Sequence, residues 1–335
     1  MSAIKNRYEF MLYLACVNAN PNGDPDMANM PRVDADTMKG YITDAAIKRR
    51  IRDYVEMIHG GEPGMNIMVQ QSCNVNRKIA EAKELAGVAL DDKGKAAIDK
   101  SRAKACELFF DVRTFGAVMA SGPNAGQVRG PVQVGFGQSL DPVRPMDIAI
   151  TRVACAEDVK SATTAAEYRK KEEQTPDDKL RTMGRKQFIP FGLYEIHGFI
   201  SANLAEQTGF DEQDLGYFFE ALANMYDATR SSSKGTMSVV SPVIIFKHVG
   251  DSSRSVEEQE NQAKLGRFPA HKLFELVRCE KKVGCVTPAT YRDYECEIDL
   301  SGKPDGIEIG FLPSYGEAGV IWNRLPDGET WMTSK

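Results

Sequence analysis

The spacing of apolar residues changes several times along the chain, and each change predicts an element. Tyr8 to Val17 is short, apolar and aromatic-rich, the composition of a buried strand. Asn18 to Lys39 follows as a long loop punctuated by Pro21, Gly23, Pro25 and Pro31. Thr43 can then cap a helix whose apolar positions Ile47, Ile51, Val55 and Ile58 recur at helical spacing until Gly60 and Gly61. Val75 to Phe110 predicts two further helices broken around Asp91 to Gly94, with the look of an insertion. Asp111 to Met119 and Val128 to Val134 read as strands, and so does Phe188 to Ser201. Asp211 caps a helix carrying Leu215, Phe218, Phe219, Leu222, Met225 and Tyr226 on one face, and Val239 to His248 is a last apolar strand in which Pro242 marks an edge or a bulge. The order is that of a split, ferredoxin-like α+β fold. The turn-rich region after residue 250 is expected to extend the same domain.

Composition adds a globular chain of 335 residues, 42% apolar and 27% charged. The longest apolar run, Met11 to Val17, is far short of a bilayer span, and Met1 to Arg7 lacks the apolar segment of a signal peptide, so the expectation is a cytoplasmic protein with no membrane contact. Seven scattered cysteines without a CxxC pair argue against a disulfide framework or a structural zinc site, and no cofactor is indicated. The net charge of -5 counts against a nucleic-acid partner until its distribution is read. Lys39, Lys48, Arg49, Arg50 and Arg52 face one acid, Asp44, between residues 39 and 52, and Lys160 to Lys186 holds eight basic and five acidic residues with few aliphatics. The second segment should project as an arm or hairpin.

Candidate chemistry is sparse. The loop Asn18, Asn20, Asn22, Gly23, Asp24, Asp26 alternates oxygen side chains as a calcium loop does, but Asn29 stands where a bidentate Glu is needed. Asp24, Asp26, Asp34 and Asp36 could hold magnesium for a nuclease, although Asp in such a loop is ordinarily a turn former. Glu195 and His197 share a strand face and form a thin acid–base pair. Gly135-Phe136-Gly137 lacks the third glycine of a dinucleotide fingerprint. The sharpest feature is Ile47-Lys48-Arg49-Arg50-Ile51-Arg52, where Lys48 and Arg52 repel at i,i+4 beside an apolar stripe, a strain that a phosphate would relieve. Arg230 and Lys234, around a serine run, could add phosphate contacts.

Three stretches carry a resemblance: Asn18 to Tyr54, Asp111 to Met119 followed by Gly130 to Val132, and Gly184 to Ser201. Through them the sequence resembles the Cas seven (Cas7) family, the backbone subunits of type I CRISPR Cascade complexes, and among these the type I-C form. The resemblance implies a ferredoxin-like, RRM-like palm over residues 1–335, with finger helices inserted at 62–110, a thumb-like arm at 155–187 and a C-terminal extension of the palm at 250–335. It implies a non-catalytic subunit that polymerises along CRISPR RNA through the phosphates and presents it for pairing with target DNA. The implied partners are other copies of the chain, Cas five-like, large and small Cascade subunits, and indirectly a recruited nuclease-helicase. Carried onto this sequence, the RNA contacts are Lys48, Arg49 and Arg52, then Lys39, Thr43 and Arg113, with Met183, Arg185 and Lys186 at the base of the thumb. Related subunits of type III complexes cut RNA with a loop Asp, so a metal-dependent RNA endonuclease is the competing expectation.

Overall fold

The computed structural model describes every residue except Met1, Ser161, Asp178, 316–318 and Lys335. Strand β1 (Tyr8–Ala19) runs through the middle of the molecule, and its sequence is apolar without alternation because both of its faces are covered. Phe10, Leu12, Leu14 and Cys16 enter one core while Met11, Tyr13 and Ala15 enter another. The loop after β1 holds the two-residue strands β2 (Gly23–Asp24) and β3 (Met30–Pro31), and leads to β4 (Lys39–Ile42) and α1 (Asp44–His59). Next come α2 (Val75–Leu85), α3 (Lys95–Leu108), α4 (Phe110–Phe115), and the hairpin β5 (Gly116–Met119) and β6 (Gly126–Arg129). Strands β7 (Val132–Val134), β8 (Gly137–Pro142) and β9 (Met146–Arg152) precede α5 (Ala165–Glu173) and the long β10 (Thr182–Ile200). Then follow α6 (Ala202–Thr208), α7 (Glu212–Ala228), β11 (Thr236–Val239), β12 (Val243–His248), α8 (Val256–Leu265) and α9 (Ala270–Phe274). The chain closes with β13 (Val277–Lys281), β14 (Tyr294–Ile298), β15 (Ile307–Leu312), β16 (Ile321–Trp322) and β17 (Met332–Ser334).

These elements form a mixed α/β fold around one large antiparallel sheet of order β16-β15-β12-β1-β10-β8-β4, with β11 also beside β1 and β7 and β9 beside β10. Helices α1 and α7 cover one face, where Ile47, Ile51, Tyr54 and Val55 meet Leu215, Phe218, Phe219 and Leu222. The other face carries a three-stranded sheet, β13-β14-β17, whose Val277, Tyr294, Cys296, Ile298 and Met332 seal the second core. The C-terminal region thus does two things: β15 and β16 widen the main sheet, and the small sheet caps it. Helices α2 to α4 and the β5–β6 hairpin build a third, separate core around Ile79, Phe109, Val112 and Met119. Inside that insertion Lys83 is fully buried, and its ammonium donates to the carbonyls of Leu90 (3.1 Å), Asp92 (2.6 Å) and Pro123 (2.8 Å), tying two loops to one helix.

Four expectations are corrected. Phe110 to Phe115 is a short buried helix rather than the start of a strand, because Asp111 turns inward to accept the backbone amides of Met68 (2.8 Å) and Val69 (3.1 Å). Val128 to Val134 is broken at Gly130 into β6 and β7, which belong to different sheets. Pro242 lies between β11 and β12, both of which flank β1, and the Ser241 hydroxyl accepts the Tyr13 amide (2.9 Å) at that break. Ile58 has the right angular position on α1 but sits exposed in the last turn, while Tyr54 and His59 are buried instead.

Candidate nucleic-acid interface

The end of the sheet where β1 stops gathers most of the basic candidates. Ala19 of β1 pairs with Ile189, and β10 reaches past it toward Thr182, where residues 182–188 pair with β9 as an antiparallel ribbon extending beyond the body. Helix α5 lies in the connection between the two ribbon strands, within the arm predicted at 155–187; Ser161 and Asp178 of that arm lie outside the described residues. The ribbon exposes Met146, Ile148, Ile150 and Val153, and Met183 is 74% exposed. Arg185 is equally open, its side chain 75% exposed and paired at 2.6 Å with Asp147. Lys186 is half-buried and, among the described residues, has no carboxylate within 4 Å.

The loop after β1 is tied to the start of α1. Asn22 Oδ1 accepts both the amide and the hydroxyl of Thr43 (2.9 Å each), and the Thr43 hydroxyl in turn accepts the Ala46 amide (3.3 Å) as the cap of α1. Thr43 is therefore fully occupied by the fold. From the opposite side Lys234 donates to the carbonyls of Asn20 (3.2 Å) and Pro21 (2.8 Å). Burial, reinforced by the nearby positive charge of Arg50, pushes the Lys234 ammonium down to about 8. Arg230 spends its guanidinium on Asp227 and on the Met237 carbonyl (3.2 Å).

The basic face of α1 differs from its reading in sequence. Lys48 pairs with Asp44 (3.0 Å), Arg49 with Asp53 (2.8 Å) and with the Val69 carbonyl (2.7 Å), and Arg50 with Asp53 (3.1 Å). Arg52 reaches the buried carboxylate of Asp111 at 2.8 Å, so α4 is clipped to α1. The Arg52 guanidinium and the Lys48 ammonium both lie over the Phe115 ring, 5.2 and 5.6 Å from its centre. Their side chains are only 12% and 15% exposed. The strain read from the sequence is thus corrected: the like-charge repulsion is relieved by the chain's own carboxylates. Arg50, absent from the predicted contacts, lies nearer to Lys234 than the spacing could reveal.

Arg113 is also corrected. It is buried between α3, α4 and α7, bidentate to Asp214 (2.7 Å to each oxygen), with a further nitrogen on the carbonyls of Gly64 (2.8 Å) and Cys106 (3.1 Å). It belongs to the far end of the molecule, by the start of α7.

The carboxylates of the first loop serve its turns. Asp24 accepts the Asp26 amide and pairs with Arg32 (3.2 Å), while Asp34 accepts both the amide and the hydroxyl of Thr37 (2.8 Å each), bonds that hold its carboxyl below the usual carboxylate range. Among the described residues no group of three or more His, Cys, Asp or Glu is placed to hold a metal ion. His197 lies 3.0 Å from Glu195, whose other oxygen accepts the Tyr13 hydroxyl (2.8 Å), and the imidazole stacks on Phe274 with centres 4.0 Å apart. Burial pushes the Glu195 carboxyl up, but the bonds from His197 and Tyr13 outweigh it and leave it below its ordinary value. Among the described residues no helix is long and apolar enough to cross a membrane.

A folded pKa near 8 on Lys234 has a measurable consequence. Between about pH 8 and 10.5 the unfolded chain binds more protons at this residue than the folded one, so its contribution to stability rises with pH across that window. Wild type is expected to gain on the order of 1–2 kcal/mol over Lys234→Met between pH 7.5 and 9.5 in urea denaturation, the two proteins sharing every other titration. Parallel stability profiles would show that the ammonium is not held at a cost.

A sheet with helices on one face, a capping sub-sheet on the other and a basic sheet end from which a ribbon projects defines a class of scaffold. Residues 6–299 match the family model described as CRISPR-associated protein Cas7, and the chain belongs to that family. A relative from Haloferax volcanii, described as CRISPR-associated protein Cas7, is 26% identical over 239 residues, which are 63% of this chain and 61% of the relative. Two solved structures are also similar. One, described as a CRISPR RNA-guided surveillance complex in a pre-nicking state, has a TM-score of 0.44 and 12% identity over 79% of this chain and 83% of its own. The other, described as a CRISPR RNA-guided surveillance complex, has a TM-score of 0.43 and 15% identity over 89% and 91%.

Proposed function

We propose that this chain is a non-catalytic CRISPR RNA-binding backbone subunit of a type I-C Cascade surveillance complex, which polymerises along the guide and presents it for pairing with target DNA. The observation that carries this reading is the sheet end itself. There Lys39, Lys186, Arg185, Arg50 and Lys234 gather beside a ribbon whose apolar side chains have no core of their own. Cations without base-reading side chains suit phosphates, which would leave sequence to base pairing. The exposed ribbon suits cover by a neighbouring copy. In this reading β1–α1–β7–β10–α7–β12, in spatial order β12-β1-β10-β7, is a ferredoxin-like, RRM-like palm. Residues 62–110 serve as fingers, 155–187 as the thumb, and 250–335 as an extension of the palm. Other Cascade subunits cap the filament, and cleavage of the target falls to a recruited nuclease in the cytoplasm.

The test is size. With guides of two lengths, light scattering after size exclusion is expected to give RNA-templated oligomers whose mass grows with the guide. A mass independent of guide length would overturn the reading.

A further inference from the structure

The phosphate-binding reading leaves unused an aromatic patch on the opposite face of the sheet from α1. Strand β4 alternates: Gly40 and Ile42 are buried toward the α1 core, while Lys39 and Tyr41 point to the other side. Beside them the turn between β7 and β8 carries Phe136, which is 58% exposed. Its flanking glycines make this possible. Gly135 donates its amide to the His197 carbonyl (2.8 Å), and a Cβ on Gly137 would come within 2.9 Å of Ile196, so the turn is pressed against β10 and its one side chain is pushed outward. The rings of Tyr41 and Phe136 are parallel to within 7°, with centres 6.1 Å apart. The exposed amide of Gln138 lies beside them, opposite Tyr41 in the ladder. Lys39 has no carboxylate within 4 Å among the described residues, and its charge reaches Glu195 only at longer range.

We infer that Tyr41 and Phe136 form a stacking platform for an unpaired nucleobase, with Lys39 on the phosphate of the same nucleotide and Gln138 at the base edge. The chemistry favours a base over a protein side chain. The patch offers flat π faces, an amide donor and acceptor and one unpaired cation, whereas Ile42, Val132 and Val134 are buried on the far face and Leu140 is packed against the second core. Stacking on an aromatic ring is indifferent to which base is presented, as a guide-independent subunit requires. The inference rests on the proposed nucleic-acid function but adds a contact to bases that the phosphate cluster does not make.

The test compares three fluorescein-labelled 12-mers: oligouridine RNA, oligothymidine DNA, and an abasic strand of the same length. Phe136→Ala is expected to bind at least one base-bearing strand roughly 5- to 150-fold more weakly than wild type, and to bind the abasic strand as wild type does. The salt slope should not change, since no charge is removed. The strand that loses affinity tells whether the platform takes RNA or DNA. Phe136→Leu, which keeps apolar bulk without the ring, should behave like Phe136→Ala, and Phe136→Trp should restore binding. Wild-type affinity of both Phe136→Ala and Phe136→Leu for both base-bearing strands would overturn the platform while leaving the phosphate-binding function intact. Failure of wild type to bind any strand, the abasic one included, would overturn the underlying function as well.

Discussion

Replacing Arg113 with Met is expected to destabilise the protein by roughly 3–5 kcal/mol, the cost of leaving a buried carboxylate without its partner. Asp214 accepts two bonds of 2.7 Å from that guanidinium and is itself buried at the start of α7. The substitution also strands the carbonyls of Gly64 and Cys106 inside the insertion, while the lost Asp214 pair is what fastens α4 to α7 of the main body. In thermal unfolding a loss of that size corresponds to roughly 5 °C for a chain this long. Adding Asp214→Leu should recover part of the loss, since it removes the orphaned charge, but not the share owed to the two carbonyls. A single substitution within about 0.5 kcal/mol of wild type would show that Arg113 is not the fastening.

The second large effect separates binding from support. The double variant Arg185→Ala/Lys186→Ala, on the exposed ribbon, should leave the melt almost unchanged, because an exposed pair such as Arg185–Asp147 contributes little. Its log–log salt slope for RNA binding should fall by about 1.4 per subunit, two single-strand phosphate contacts at about 0.7 each. Lys48→Ala/Arg52→Ala should show the reverse. Asp111 loses the guanidinium that faces it, and stability falls by about 2 kcal/mol, softened by the two backbone amides it keeps. If the helix pair lowers the salt slope as much as the ribbon pair with no change in melt, Lys48 and Arg52 are the phosphate contacts after all and their carboxylate partners are easily displaced.

How much of this was legible before folding depends on the range of the interaction. The double-sided burial of β1, the α1 stripe of Ile47, Ile51 and Val55, the Thr43 and Asp211 caps and the break between α2 and α3 are local or periodic properties, and the sequence by itself determined them. The shortage of aliphatics between residues 160 and 186 is local in the same way, and such a segment cannot build a core of its own. The fate of each charge was decided only by tertiary structure. Arg52 and Asp111 are 59 residues apart and Arg113 and Asp214 are 101, so no spacing rule could show that these cations were already neutralised inside the chain. Lys234 and the Asn20 and Pro21 carbonyls are more distant still, and the burial that makes the ammonium easy to deprotonate exists only once the loop after β1 closes over it. The same holds for Tyr41 and Phe136. Each is an ordinary aromatic in sequence, and they become a parallel pair only because β4 and β8 lie side by side and two glycines press the turn between β7 and β8 against β10.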